Sequence, residues 1–276
     1  MRKIGVFKLG VMLFTLGVLW VALALCAQAA SQDAVWPEAS GTSVESDGNL
    51  TIDMSHMDQG YIMCCVTSPT KNAFKMRITV NGGQLMYDIT NSGEYECYPL
   101  QMGSGNYKVE LFENVKGSKY AGAGSITVMA SLRDENAAFL VPNQYVNYDL
   151  LSLTVQKSDE LTDGLSKPKD IYDKVCDFMA SEFNYDFVRA SKITSFTLPE
   201  VDPCFERRSG ICQDLSAVMI CMLRVQGIPS RLMIGYADKY YHAWTVSVVD
   251  GQEIFFDPTE AIGAISAKKY QVERFY

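Results

Sequence analysis

The chain has 276 residues, enough for two domains of ordinary size, and 48% of them are hydrophobic against 20% charged. That balance supports buried cores and excludes a disordered chain. A net charge of −8, with no basic stripe anywhere, makes nucleic acid and anionic membrane surfaces poor partner candidates.

Residues 1–29 start basic (Arg2, Lys3, Lys8), run apolar from Leu9 to Leu25 and end on Ala27-Gln28-Ala29. This is the pattern of a secretory signal peptide cleaved after Ala29. An uncleaved anchor competes with it, as does a lipid-modified Cys26, which has Leu25 where such sites carry a small residue. All three readings make the protein secreted or bound to the cell envelope. Setting Cys26 aside, the chain keeps Cys64, Cys65, Cys97, Cys176, Cys204, Cys212 and Cys221. An odd number suits one functional thiol among paired or buried ones in an exported protein. Cys64 and Cys65 sit on opposite faces of a strand, so one of them at most can meet Cys97; a bridge there and plain burial are both open.

Residues 30–48 read as a polar lead and 49–132 as a domain of short alternating strands. Phe74, Met76, Ile78 and Val80 alternate with polar residues before the turn Asn81-Gly82-Gly83, followed by Leu85, Tyr87 and Ile89. Tyr107, Val109 and Leu111, then Ile126, Val128 and Ala130, continue the period of two. The expectation is an Ig-like antiparallel β-sandwich. His56 reads as a solvated loop residue, and the tyrosines 87, 95, 98 and 107 read as core aromatics before they read as a ligand face. Residues 133–165, opening on Arg133-Asp134-Glu135-Asn136, are expected as a linker and extended arm.

From 166 to 276 the pattern becomes α+β. Ile171, Val175, Phe178 and Met179 have helical spacing behind Pro168. Cys176 falls in that helix as a buried thiol, and Cys204 in an irregular stretch as a structural one. Ser209-Gly210-Ile211-Cys212-Gln213-Asp214 then opens an apolar run, Leu215, Val218, Met219, Met222 and Leu223, spaced as a one-faced helix that stops at Gly227 before Pro229. A thiol at a helix N-terminus meets unpaired N–H groups and the positive end of the dipole, and both favour the thiolate. Residues 231–237, 241–249 and 252–256 read as strands, with Asp250-Gly251 as a two-residue hairpin turn. Pairing about that turn makes His242 and Asp257 near cross-strand neighbours. Cys212, His242 and Asp257 thus form a candidate nucleophile, base and orienting carboxylate.

Gly210-x-Cys212, Arg224-x-x-Gly227-Ile228-Pro229, Gly235-Tyr236, His242-Ala243-Trp244 and Asp257-Pro258-Thr259 together resemble the transglutaminase-like superfamily. The resemblance covers about the last half of the chain. It implies a papain-like fold, a Cys-His-Asp triad and a bacterial secreted member with an N-terminal sandwich. Tyr185, Gln213 and Trp244 are the further site-lining candidates, and the Cys212 N–H is the candidate oxyanion donor. The implied activity is attack of Cys212 on an amide of a protein or peptide, cell-wall peptide included, with a thioester resolved by an amine or by water. A peptidase or amidase and a non-catalytic envelope-binding module are the alternatives. No C-x-x-C pair, His/Cys cluster or calcium-like acidic cluster is present, so neither a metal nor a cofactor is expected.

Overall fold

A computed structural model of the chain describes residues 34–194 and 197–276, and the expected signal segment lies outside them. Two four-stranded antiparallel sheets make the first unit. One runs β1-β2-β3-β6, from Val44–Asp47, Leu50–Asp53, Tyr61–Val66 and Glu96–Pro99. The other runs β5-β4-β7-β8, from Gly83–Ile89, Phe74–Val80, Gly105–Lys116 and Lys119–Ala130. The β4–β5 turn is built on Asn81 and Gly82, both at positive φ, which is the backbone a two-residue hairpin of this twist needs. Alternation works as the sequence suggests: Met76, Ile78, Val109 and Leu111 enter a core shared with Ile52, Ile62 and Cys64 of the facing sheet.

Two strands depart from expectation. β1 lies inside the stretch read as a polar lead; all four of its residues are exposed, so no apolar alternation marks it. β3 is buried along its whole length, because Tyr61 and Met63 pack on Val141 while Ile62 and Cys64 face the main core. Cys97 stands opposite Met63, and the described cysteines are all free. Tyr87, Tyr98 and Tyr107 are core residues, and His56 stacks on Tyr61.

Within the stretch expected as an arm, residues Leu153–Thr162 form helix α1. Its buried residues are Thr154, Val155, Ser158 and Thr162, a stripe too polar to announce itself. Helix α2, Pro168–Glu182, starts with Pro in its first turn and buries Ile171, Val175, Phe178 and Met179. After β9 (Asn184–Tyr185) and a short α3 (Phe187–Ala190), helix α4 spans Val201–Arg207 where the sequence suggested irregular chain around Cys204. β10 (Ser209–Gly210) pairs in parallel with β9 and leads into α5, Cys212–Arg224.

Helix α5 is the centre of the second unit. It is not one-faced: every residue from Asp214 to Arg224 is buried. α1, α2 and α4 pack against it, and so do β11 (Ser230–Ala237) and β12 (Tyr240–Val249) of the sheet β13-β12-β11-β14. Small residues, Ser216 and Ala217, complete the girdle of a helix enclosed on all sides. The chain leaves it through Gly227 at φ +72 with the Ile228 N–H bonded to Leu223 O, a left-handed helix stop.

β12 and β13 (Gln252–Phe256) are joined by Asp250 and Gly251, again both at positive φ. A short helix α6 (Pro258–Ala261) follows, and β14 (Tyr270–Phe275) returns to pair with β11. The buried Arg224 side chain then ties distant segments together, donating to Ser230 O at 2.9 Å, Val141 O at 2.6 Å and Tyr276 O at 3.1 Å.

Candidate active site

The first turn of α5 is held by an ion pair whose carboxylate is buried. Asp214, at the third helical position and with no exposed surface, accepts from Ile211 N at 3.1 Å and Glu200 N at 3.0 Å. Arg189 Nε meets its Oδ2 at 2.8 Å, and Arg189 also pairs with Glu200. The carboxylate caps helix N–H groups while the guanidinium neutralises it, so the turn carrying Cys212 is fixed. Gly210 is obligatory here, since a Cβ would sit 2.5 Å from Cys204 Sγ and 2.8 Å from the Asp214 side chain. Cys204 is therefore a packing residue, and burial pushes its thiol up to about 12.

Cys212 is half-buried at the head of α5. His242 on β12 is buried, hydrogen-bonds the Cys212 side chain, and meets Asp257 Oδ2 through Nε2 at 2.8 Å. The registry Thr245↔Phe256 places Asp257 diagonal to His242 and not directly across from it. That diagonal remains within side-chain reach on a pleated sheet. Asp257 serves two structures with its two oxygens. Oδ1 caps α6, accepting from Thr259 N at 2.8 Å and Glu260 N at 3.3 Å, while Oδ2 takes His242 and the Tyr270 hydroxyl, also at 2.8 Å.

Burial opposes a charged imidazole, but the bonds to Asp257 and Cys212 outweigh it and raise His242 to about 9. For Asp257 burial likewise opposes ionisation, and the bonds from His242, Tyr270 and the helix N–H hold its carboxyl below the usual range. An imidazolium between a carboxylate and a sulfur is the arrangement that moves a proton between a thiol and a leaving group.

The other sequence candidates divide. Gln213 lines the cleft beside Cys212, its amide anchored to Thr197 O at 2.9 Å. Tyr185 lies behind the cleft wall with its hydroxyl at the Cys212 backbone N–H; burial, then the Cys212 sulfur, pushes the hydroxyl up to about 12. Trp244 is buried and does not line the cleft; it packs edge-on to Tyr270 at 5.0 Å, with the His242 ring near-parallel at 6.3 Å.

Tyr270 was not singled out from sequence. The alternation Tyr270, Val272, Arg274 marks a strand, yet nothing local says that it returns beside β11. Gly235 lies between Tyr270 and His242, opposite the latter across the β11–β12 pair, where a Cβ would sit 1.9 Å from Gln271 O. The cleft, about 570 Å³, is also unexpected in its other wall, which comes from the first unit: Lys75 and the β5 residues 84–88 face Cys212 and His242.

The family described as the transglutaminase-like superfamily matches residues 155–258, so this part of the chain is similar to that family. Among solved structures, a candidate cysteine protease from Cytophaga hutchinsonii is 18% identical, with 73% of this chain and 75% of that one covered and a TM-score of 0.40. The periplasmic domain of TgpA from Pseudomonas aeruginosa, bound to ethylmercury, is 15% identical over 70% of this chain and 91% of its own, with a TM-score of 0.37. Red sea bream transglutaminase is 10% identical over 72% of this chain and 48% of its own, with a TM-score of 0.32. No curated protein sequence matches the chain.

Proposed function

We propose that the protein is an exported thiol acyltransferase or amidase acting on protein or peptide amides. The observation that carries this reading is the line Asp257–His242–Cys212, with the sulfur half-buried at the head of α5 on the wall of a cleft. Cys212 attacks the carbonyl as thiolate, and His242 holds the proton and passes it to the leaving amine. Asp257 fixes the ring through Nε2. The Cys212 N–H at the head of α5 is the oxyanion donor. An amine or water then resolves the thioester.

Export is read from residues 1–29, and the two facing antiparallel sheets support an Ig-like reading of the first unit. A glutamine-containing protein offered with and without a primary amine tests the reaction. Amine incorporation names a transglutaminase, ammonia release alone a deamidase, and chain cleavage a peptidase. No turnover of any kind, with Cys212 no more alkylated by iodoacetamide than the other exposed thiols, would leave only a binding module.

A further inference from the structure

Strand β5 is the edge of its sheet: β4 pairs with one side of it and, among the described residues, no strand pairs with the other. The β4–β5 ladder is regular from Phe74↔Ile89 to Val80↔Gly83, so backbone groups along β5 point alternately to β4 and to the open edge. Asp88 shows which residues face outward. Its N–H donates to Gln144 Oε1 at 3.4 Å, and its carbonyl accepts from Gln144 Nε2 at 2.8 Å. A side-chain amide there does what a residue of a neighbouring strand would do. By the same alternation, Met86 and Gln84 turn their N–H and C=O groups to the open edge.

That edge lies in the cleft, on the wall facing Cys212 and His242. Proteins usually blunt exposed edges with charge, proline or a bulge. At Asp88 this edge has an ion pair with Lys75 and the Gln144 cover, whereas Met86 is apolar and 41% exposed.

We propose that β5 is a docking edge for an extended polypeptide, which adds as a further strand through the backbone groups of Gln84 and Met86 and so brings one of its side chains to Cys212. This rests on the thiol-enzyme reading and narrows its substrate to unfolded or extended segments. Strand addition recognises main chain, so affinity is largely independent of substrate sequence, and side-chain preference is set near the sulfur.

Binding tests the edge without chemistry. Cys212→Ala protein is titrated into a fluorescein-labelled decapeptide of alternating glutamine and alanine, read by anisotropy. Met86→Pro in that background removes an outward N–H at a position where edge strands tolerate proline. It should weaken binding about fivefold, and Met86→Ala less than about twofold, the loss expected for one hydrogen bond. The same decapeptide N-methylated at every amide should not bind. Absence of binding by the unmethylated peptide, equal affinity of the two peptides, or equal effects of the two Met86 variants would overturn the proposal. The peptide pair decides the matter should Met86→Pro not fold. Binding as described by a protein without acyl-transfer activity would retain the docking edge and remove the enzyme reading.

Discussion

At the scale of single residues, the electrostatics of His242 set the pH response. Its folded value, about 9, lies above the ordinary 6.5, so the imidazolium persists through neutrality and is lost as pH rises through about 9. Activity should therefore fall on the alkaline side with a midpoint near 9 in a kcat/KM profile. Asp257→Ala should move that midpoint down toward 6.5, whereas Tyr270→Phe should move it slightly up, since Oδ2 no longer shares its charge with the hydroxyl. The same shift contributes to stability: that contribution is complete below about 6.5 and disappears through about 9. Asp257 works the other way, its contribution being present above its ordinary value and lost as acid protonates it.

At the scale of elements, the first turn of α5 depends on Asp214. Asp214→Ala would leave the Arg189 guanidinium without its buried partner and free the Ile211 and Glu200 N–H groups. Loss of about 2 kcal/mol in urea unfolding is expected, since two N–H groups lose their acceptor while the partly exposed Arg189 keeps Glu200. Such details were only partly legible in the sequence. Both hairpins could be read because Asn81-Gly82 and Asp250-Gly251 adopt the positive φ their turns demand, a purely local property. From the second hairpin alone the His242–Asp257 approach followed, short of its diagonal offset. α1 and α4 were hidden, the first because Thr and Ser fill its buried stripe and the second because Asp202-Pro203 reads as a turn although Pro fits a first helical turn. α5 seemed one-faced because Ser216 and Ala217 do not register as apolar contacts until neighbours close around them.

At the scale of the whole molecule, the sequence was silent about docking. Tyr270 reaches Asp257 only because β14 returns beside β11, and β5 faces Cys212 only because two separately patterned units share one cleft. Neither relation leaves a period or a spacing in the chain, and Tyr145 stacked on Tyr276 at 3.6 Å is another pairing of that kind. Arg224 offers the sharpest case. Its fork joins carbonyls from the connecting segment, from β11 and from Tyr276 beyond β14, in a site without solvent exposure. A single guanidinium thus fastens the connecting segment and Tyr276 to the helix that carries Cys212. Arg224→Met, which abandons all three carbonyls at a cost of about 3 kcal/mol, should lower the calorimetric melting temperature and make the chain around Val141 more readily cut by a protease at temperatures where the wild type resists.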